Sequence, residues 1–292
     1  MKADLATALT SFGVGYDRDM YRMHKSFLKW AGGKFDLVED IKAEMPAVMS
    51  IGTYIEPFVG GGAVALNMPI TVPKLLNDIN PGVVGIWKAL KRAPKSFVCE
   101  ARVRFRPEYN EEEQFYRIRE EYNKDTSHGS RFLYLNRHCF NGLCRFNKAG
   151  EFNVPYGRYK TVYFPEDELR HAAAIVQNAE ITQLDFVDVM NFATQGDVVY
   201  CDPPYVPLSA TSSFVGYSKG GFTLEQQWSL VARAERLRDR GVTVIVSNND
   251  TPLTRKMYKN ADKVKKVLVS KRISCKSDGR KKSGELIAVY KP

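Results

Sequence analysis

Two strand-like segments limit the possible folds more than any other feature of the sequence. Positions 242–246 form an unbroken strand-forming run after Gly241, and an amphipathic helix is predicted over 224–240. Positions 197–201 form a second buried run, which ends at Pro203 and Pro204. Strands with no polar face suit the buried centre of a parallel sheet, where helices cover both sides. The sequence therefore predicts a layered α/β fold.

Other segments continue this alternation of strands and helices. Strands are predicted at 53–58, 74–78, 180–184, 267–269 and 286–290, and a helix is predicted to begin at Pro81. Residues 101–165 interrupt the pattern and are rich in Arg, Tyr, Phe and Asn. We expect one α/β domain formed by 26–100 and 166–292, a mainly helical insertion at 101–165, and an N-terminal extension at 1–25.

The charge of the chain is concentrated at its C-terminal end. Residues 251–292 contain 13 Lys and Arg but three acids, an excess equal to the net charge of +10. Such clustering is typical of a polyanion-binding protein, although a merely basic surface explains it about as well. The five cysteines form no Cys-x-x-Cys pair, so reduced thiols are expected rather than a metal site. No apolar run is long enough for a membrane span or a secretory signal, which predicts a cytoplasmic protein.

A glycine-rich turn follows the first predicted strand. Gly60, Gly61 and Gly62 allow backbone to approach a ligand closely, because glycine has no side chain. Asp78 ends the next strand, where an acid in dinucleotide-binding folds bonds ribose hydroxyls. The turn lacks the Gly-x-Gly-x-x-Gly pattern, so it indicates a nucleotide-like ligand without distinguishing NAD from S-adenosylmethionine. Residues 27–34, with an aromatic, two glycines and a lysine, are a second close-approach segment.

The predicted catalytic run is Asp202, Pro203, Pro204 and Tyr205, which directly follows a strand. Open α/β sheets bind their ligands at that end of the strand. The Asp202 carboxylate and the Pro203 carbonyl can accept both N–H bonds of an aromatic amine and turn its lone pair toward a methyl donor. Tyr205 can stack on the ring. A sulfonium methyl donor is itself electrophilic, so this chemistry requires no metal.

At this point the sequence resembles the Dam-type DNA adenine methyltransferases. The resemblance covers about residues 26–292 and rests on several long motifs in the family's order. These are residues 27–34, 56–62, 77–80, 136–147, 150–159, 202–205, 207–211 and 222–227. It implies a Rossmann-like S-adenosylmethionine methyltransferase sheet with helices on both faces, and a DNA-recognition insertion between the methyl-donor and catalytic motifs. It also implies methylation of adenine N6 in duplex DNA, usually at GATC, by base flipping.

The resemblance assigns residues to the pocket for S-adenosylmethionine. Asp78 would bind the ribose, and Asp185 and Phe186 would flank the adenine ring of the methyl donor. The full set implied for the cofactor is Trp30, Ala31, Gly32, Lys34, Glu56, Pro57, Phe58, Gly60, Asp78, Ile79, Asp185, Phe186 and Asp202.

The resemblance also assigns a DNA-binding set. Phe140, where relatives often carry Tyr, would wedge into the duplex as the target base leaves, and Asn141 would contact its former partner. Arg145 would read a guanine, a role that bidentate geometry suits. The full set is Lys29, Arg137, Phe140, Asn141, Leu143, Arg145, Asn147, Pro155, Arg158, Tyr159, Lys160, Ser209, Arg280, Lys281 and Lys282.

Three other functions compete with this interpretation. An NAD-dependent oxidoreductase would use the same sheet, but it leaves the Asp202 run and the basic end unexplained. A methyltransferase acting on RNA or on protein glutamine is closer, although protein-glutamine enzymes usually have Asn where Asp202 stands. A DNA-binding protein with a relic pocket is the third, and the intact methyl-donor and catalytic motifs weigh against it.

Overall fold

The strands of the described residues form one seven-stranded sheet. The computed structural model describes residues 23–30, 32–205, 221–270 and 282–292. The strands are β1 (Tyr54–Glu56), β2 (Lys74–Asn77), β3 (Ala179–Thr182), β4 (Val198–Cys201), β5 (Thr243–Asn249), β6 (Lys263–Ser270) and β7 (Lys282–Tyr290). Their order is β3-β2-β1-β4-β5-β7-β6. All pairs from β3 to β5 are parallel, and β7 inserts antiparallel between β5 and β6.

Helices surround this sheet along most of the chain. They are α1 (Val38–Lys42), α2 (Pro81–Arg92), α3 (Pro94–Val103), α4 (Glu112–Lys124), α5 (Gly129–His138), α6 (Glu166–Ile175), α7 (Phe186–Asn191), α8 (Leu224–Asp239) and α9 (Pro252–Met257). The helix predicted at Pro81 begins there, because the Asn80 side chain caps it by accepting from Gly82 N and Val83 N. Thr223 and Gln226 form a capping box at the start of α8.

Successive residues of each strand point to opposite faces, and each face has its own core. Val198 and Tyr200 of β4 pack on one face, with Trp87 of α2. Val199 and Cys201 pack on the other face, with Leu230 of α8. Helices α2 to α6 contribute to the first core, and α7 to α9 contribute to the second. This two-sided burial explains the apolar runs that predicted a parallel sheet, and the fold is the expected Rossmann-like α/β class.

Residues 101–165 contribute to the first core rather than forming one of their own. Helices α4 and α5 are their helical part, and residues 139–165 continue as an irregular segment with two isolated bridges, Cys139 to Tyr156 and Phe146 to Phe152. Phe115 and Phe132 are fully buried in the same cluster as Trp87. Gly85 of α2 and Gly129 of α5 let the two helices touch, since a Cβ at Gly129 would lie 2.6 Å from Ile86 N.

Three strands run further than the sequence pattern predicts. Strand β5 continues past Val246 through Ser247, Asn248 and Asn249, which are polar but buried. The edge strand β6 begins at Lys263, and residues 263–268 are exposed or only partly buried, so their composition shows no buried period of two. Strand β7 begins at Lys282, four residues before the predicted 286–290, because pairing with β6 continues to that residue. Backbone pairing is set by neighbouring strands, which local composition does not reveal.

Gly62 is a position where this fold requires glycine. Its φ is +67°, and a Cβ there would lie 2.5 Å from Cζ2 of the buried Trp87. We predict that Gly62→Ala lowers the free energy of unfolding by about 2 kcal/mol or more, since left-handed strain adds to a clash. Gly150→Ala is the matched control, because φ is +87° but nothing lies within 4 Å of its Cβ position. Urea unfolding should give a loss of about 1 kcal/mol for that control, and equal losses would contradict the role of Trp87.

Candidate active site

The predicted pocket residues meet because their strands are parallel neighbours. Strand β1 lies between β2 and β4, and all three run in one direction. Glu56, Asn77 and Cys201 are therefore the last strand residues at one edge of the sheet, and Asp78 and Asp202 follow directly. Ligands in open α/β sheets bind at this carboxyl edge.

The glycine turn is locked to Asp78 and to helix α2. Gly60 N donates to Asp78 Oδ2 and Asn80 N donates to Asp78 Oδ1, each at 2.8 Å. On its other side, Gly60 O accepts from Trp87 Nε1 at 3.1 Å. Burial raises the pKa of Asp78 to about 6, although these backbone donors act in the opposite direction. The turn is thus buried, and it holds the partly exposed Asp78 carboxylate in a fixed position at this edge of the sheet.

Asn77 is a pocket residue that the sequence analysis did not assign. Its Nδ2 donates to Pro57 O at 2.9 Å and to Leu184 O at 3.0 Å. Its Oδ1 accepts from Leu184 N and from Thr182 Oγ1, both at 2.8 Å. One buried amide therefore joins the loops after β1 and β3. The sequence signals for it were its position directly before Asp78 and its place in the 77–80 motif.

Aromatic side chains line the next part of this edge. Phe58 lies 5.4 Å from Phe186 and 5.6 Å from Phe222, measured between ring centroids. The sequence assigned no individual role to Phe222, although this residue lies within the 222–227 motif. Asp185 caps α7 through Val187 N at 2.8 Å, and the Ile79 side chain is 52% exposed. These groups suit a flat, partly polar ring.

An ion pair lies at the centre of the site. Lys34 Nζ is 3.1 Å from Asp202 Oδ2 and also donates to Gly32 O. Asp202 Oδ1 is buried and has no hydrogen-bond partner among the described residues. Burial raises the pKa of Asp202 to about 6, while Lys34 lowers it and Glu285 raises it. The site therefore presents one paired carboxylate oxygen and one acceptor without a donor.

Two more groups hold the rim of the Asp202 loop. Tyr205 Oη donates to Glu285 Oε2 at 2.7 Å, and Lys34 Nζ lies 4.7 Å from the centroid of the Tyr205 ring. Glu285 belongs to β7 and was not assigned from the sequence. It is one of only three acids in the basic end, directly before an apolar strand, which was the available signal.

The carbonyl of Pro204 begins a buried polar chain. Gln227 Nε2 donates to Pro204 O at 2.7 Å, and Asn248 Nδ2 donates to Gln227 Oε1 and to Tyr258 Oη, each at 3.1 Å. From the sequence, Gln227 was recognised only as part of the 222–227 motif, and Asn248 was not predicted to lie in a strand. The chain ties the catalytic run to α8 and β5, and Gln227 occupies one lone pair of Pro204 O.

Glu56 is in the predicted pocket set but is paired internally. Tyr54 Oη donates to Glu56 Oε2 at 2.8 Å, and the residue is 2% exposed. Burial raises the pKa of the Glu56 carboxyl well above its usual range, despite the hydrogen bond from Tyr54. Glu56 is thus a buried neighbour of Asp202 on the adjacent strand.

The predicted wedge lies on a tightly built turn. Phe140 is 45% exposed, and its backbone N donates to Pro155 O at 2.9 Å. Asn141 has a φ of +53°, and Gly142 has a φ of +62°. A Cβ on Gly142 would lie 2.5 Å from the Lys29 side chain, so the turn sits directly on the segment that leads to Lys34. The structure therefore presents an exposed ring from a rigid support.

The other predicted DNA contacts divide into oriented and outward-facing side chains. Arg145 Nε donates to Asn153 Oδ1 at 2.8 Å, which orients its guanidinium. Arg158 is exposed and pairs with Glu112 at 3.1 Å. Asn147 is used within its own loop, since its Oδ1 accepts from Ala149 N and Glu151 N at 3.0 Å. The exposed members of the set include Pro155 and Lys160, and Leu143 and Tyr159 are half-buried.

Arg137 differs from this pattern. It was predicted to bind DNA, but it is 8% exposed, and its Nε and Nη2 donate to Phe27 O at 2.9 and 2.7 Å. Beside it, Asn136 makes a two-way contact with the backbone of Lys29, at 2.8 and 2.7 Å. The sequence placed these residues near Phe140 but did not show that α5 binds the segment before Lys34. Arg137 thus connects α5, which precedes the Phe140 turn, to the segment that leads to Lys34, and it does so in the protein interior.

Several predicted site residues lie wholly or partly outside the described residues. Ala31, Ser209, Arg280 and Lys281 lie outside the described residues, and Lys282 is described only as the first residue of β7. Among the described residues, no group of three His, Cys, Asp or Glu side chains could hold a metal ion. In the same part of the chain, no helix is long and apolar enough to cross a membrane. Cys99, Cys139, Cys144 and Cys201 are free thiols.

Comparison with known proteins gives a consistent result. Residues 30–273 match the D12 class N6 adenine-specific DNA methyltransferase family. The DNA adenine methylase of Escherichia coli (strain K12) is 47% identical over 274 residues, which cover 93% of this chain and 97% of that protein. The DNA adenine methylase of Serratia marcescens is 45% identical, covering 92% and 100%. The Vibrio cholerae serotype O1 enzyme of the same name is 42% identical, covering 93% and 98%.

The Gln227 contact yields a stability prediction. Gln227→Leu removes the donor to Pro204 O while nearly keeping the side-chain volume. We expect unfolding in urea to require about 1–3 kcal/mol less, because a buried carbonyl is left unsatisfied. Gln177→Leu is the control, since Gln177 is exposed and bonds only to Ala173 O in its own helical turn. A loss no greater than the control's would show that Gln227 does not hold the Pro204 carbonyl.

Proposed function

The chain belongs to the D12 class N6 adenine-specific DNA methyltransferase family and methylates adenine N6 in DNA, and from this premise we propose how its site works. The substrate is adenine within GATC in duplex DNA, the base is flipped out of the helix, and Asp202 receives its amine. The observation that carries this proposal is the buried Asp202 Oδ1, which lacks a partner beside an oxygen already held by Lys34.

The pocket residues fit S-adenosylmethionine as the methyl donor. The Gly60 turn holds the Asp78 carboxylate in place through Gly60 N, and the partly exposed Asp78 supplies acceptors for ribose hydroxyls. Phe58 and Phe186 offer aromatic surface for its base. When bound, this cofactor supplies an electrophilic methyl group. The family relationship and the chemistry of these side chains support the same ligand.

Asp202 and Pro203 orient the target amine. The lone pair of adenine N6 is delocalised into the ring, so the amine is a weak nucleophile until its N–H bonds are held. Asp202 Oδ1 and the Pro203 carbonyl accept the two N–H groups, and the lone pair then points out of the ring plane. The N6 lone pair forms the new bond to the methyl group, which the bound cofactor would supply. The nitrogen loses a proton, and Asp202 is the base positioned to accept it.

Lys34 and Tyr205 serve Asp202 in different ways. The Lys34 ammonium keeps Oδ2 occupied, which leaves Oδ1 for the amine. Its charge favours the ionised carboxylate and partly opposes the effect of burial. Tyr205 presents its ring beside the same ammonium and can stack on the flipped base. Ionised Asp202 is the required acceptor, so turnover falls as the pH drops below about 6.

Base flipping requires a group that replaces the missing base. Extruding a nucleotide costs a few kcal/mol of unpairing and unstacking. The exposed Phe140 ring is suited to fill the gap, and Asn141 contacts the orphaned partner base. The support under Phe140 comes from Pro155 O and from the close fit of Gly142 on Lys29. A rigid wedge loses little conformational entropy when it enters the duplex.

Recognition of GATC rests on the same insertion. Arg145, oriented by Asn153, reads a guanine with paired N–H donors in the major groove. Leu143, Pro155 and Tyr159 contact neighbouring bases, and Lys29 reaches toward the other guanine. The Lys29 ammonium donates to Arg137 O at 3.2 Å and lies 4.3 Å from the centroid of the Tyr159 ring. Arg158 and Lys160, which are exposed, contact phosphates without reading sequence.

Methylation of GATC and the role of Asp202 are tested together. Plasmid treated with the wild-type protein and S-adenosylmethionine should become resistant to a methyl-sensitive GATC nuclease and cleavable by a methyl-dependent one. Asp202→Asn should bind DNA with near-normal affinity yet lose turnover by at least about a hundredfold, because the amide lacks the charge that holds the amine. Methylation at other sequences, or near-normal turnover of Asp202→Asn, would overturn the respective part of the proposal.

The role of Arg145 is tested by a pair of arginine substitutions. Arg145→Lys keeps the charge but loses the bidentate fork, so kcat/KM for GATC over a site with one guanine replaced should fall about tenfold to a hundredfold. Arg158→Lys is the control, since a phosphate contact affects all sequences alike. The ratio of rates on the two DNA sites is the measurement. An unchanged ratio for Arg145→Lys, or an equal change in both variants, would contradict direct readout.

A further inference from the structure

Glu285 is an acid in an unusual position. It is 7% exposed and lies on β7, where it pairs in register with Asn249 of β5 and Val267 of β6. Its chain neighbours Leu286 and Ile287 are fully buried. A buried carboxylate is unfavourable unless it is hydrogen-bonded or paired with a charge. Glu285 satisfies this requirement with groups that belong to the active site.

The contacts of Glu285 converge on the catalytic loop. Its Oε2 accepts from Tyr205 Oη at 2.7 Å and lies 3.9 Å from Lys34 Nζ. The same ammonium is 3.1 Å from Asp202 Oδ2. One lysine is therefore shared by two carboxylates, Asp202 in the loop after β4 and Glu285 on β7, and Tyr205 donates to the second of them. Without Glu285, both the Tyr205 hydroxyl and the position of Lys34 would lose a fixed partner.

The charges that face Asp202 come from four parts of the fold. Lys34 lies before α1, Glu285 lies on β7, and Tyr205 belongs to the same loop as Asp202. Glu56 on β1 is a further buried acid close enough to interact with Asp202. The neighbouring β4 side chains Tyr200 and Cys201 are also sensitive to the Asp202 charge. Glu285 is the acid whose charge most directly opposes ionisation of Asp202, and it raises the pKa of that group.

We propose that Glu285 is a positioning residue that holds Tyr205 and Lys34 in place and sets the lower pH limit of methyl transfer. Its hydrogen bond fixes the ring that meets the flipped base. Its charge competes with Asp202 for Lys34 and so makes Asp202 a stronger base at neutral pH, ready to take the amine proton. This proposal rests on the assignment of Asp202 as the group that receives the amine.

Two substitutions separate the effect of the Glu285 charge from the effect of its side-chain length. Glu285→Gln keeps an acceptor for Tyr205 Oη but removes the negative charge. Glu285→Asp keeps the charge but is shorter by one methylene, which withdraws the acceptor from Tyr205. Both variants are measured in single-turnover methylation at saturating S-adenosylmethionine and GATC duplex, from pH 5 to pH 9, together with thermal unfolding and cofactor binding.

The two variants should fail in different ways. In Glu285→Gln the acid limb of the rate profile should move down by about one pH unit, because removing a like charge lowers the pKa of Asp202. In Glu285→Asp the acid limb should stay within a few tenths of a unit of wild type, while the plateau rate falls about tenfold or more through misplacement of Tyr205. KM for DNA should change little in either variant, because Glu285 is buried behind the catalytic loop.

Glu44→Gln is the matched control. Glu44 is also buried, and its carboxylate pairs with lysines, Lys263 at 2.6 Å and Lys291 at 3.8 Å, but with no residue of the pocket. It should alter stability and leave the acid limb unchanged. A Glu285→Gln profile that overlays wild type, or a shift equally present in Glu44→Gln, would overturn the proposal.

Asp202→Asn, measured in parallel, keeps the two hypotheses apart. If Asp202→Asn retains turnover, the assignment of the amine acceptor is wrong. If it is inactive and the Glu285→Gln profile does not move, only the role of Glu285 is wrong. A shifted profile in Glu285→Gln with an inactive Asp202→Asn supports both.

Discussion

The arrangement of the active site depends on the burial of the Asp202 carboxylate at the carboxyl edge of the sheet. A charge removed from water must be paired, and here one oxygen is paired with Lys34 while the other lacks a partner. Lys34 in turn requires Glu285, and Glu285 requires Tyr205. Stabilising the Asp202 carboxylate therefore involves residues from the segment before α1, from the catalytic loop and from the last strand.

A second constraint joins DNA recognition to this site. Helix α5 ends immediately before the Phe140 turn, and its last residues bind the segment that leads to Lys34. Asn136 exchanges two hydrogen bonds with the Lys29 backbone, and Arg137 holds Phe27 O. The same short segment thus supports the wedge and the ion pair. These contacts therefore fix the Phe140 turn and the Lys34 segment relative to each other.

Much of the fold was predictable from local patterns. The buried runs at 197–201 and 242–246 are β4 and the first part of β5, and Pro81 begins α2 as expected. The lengths of β6 and β7 were underestimated, since the edge strand β6 and the polar start of β7 are held by pairing with each other and need no apolar pattern. The shared core of α2 and α5 was not foreseen, because it depends on a contact between Gly85 and Gly129 that no local signal encodes.

The amino-acid sequence by itself determined the chemistry of this protein: a carboxylate and two prolines after a strand, glycines before an acid, and motifs that identify the family. These signals are local, because turn residues and strand ends act over a few positions along the chain. Only the tertiary structure decided which distant groups complete the site. Glu285, Gln227 and Asn77 act through hydrogen bonds across the sheet, and Arg137 faces inward and donates to Phe27 O. Such partners are chosen by burial and strand order, and neither is visible until the chain has folded.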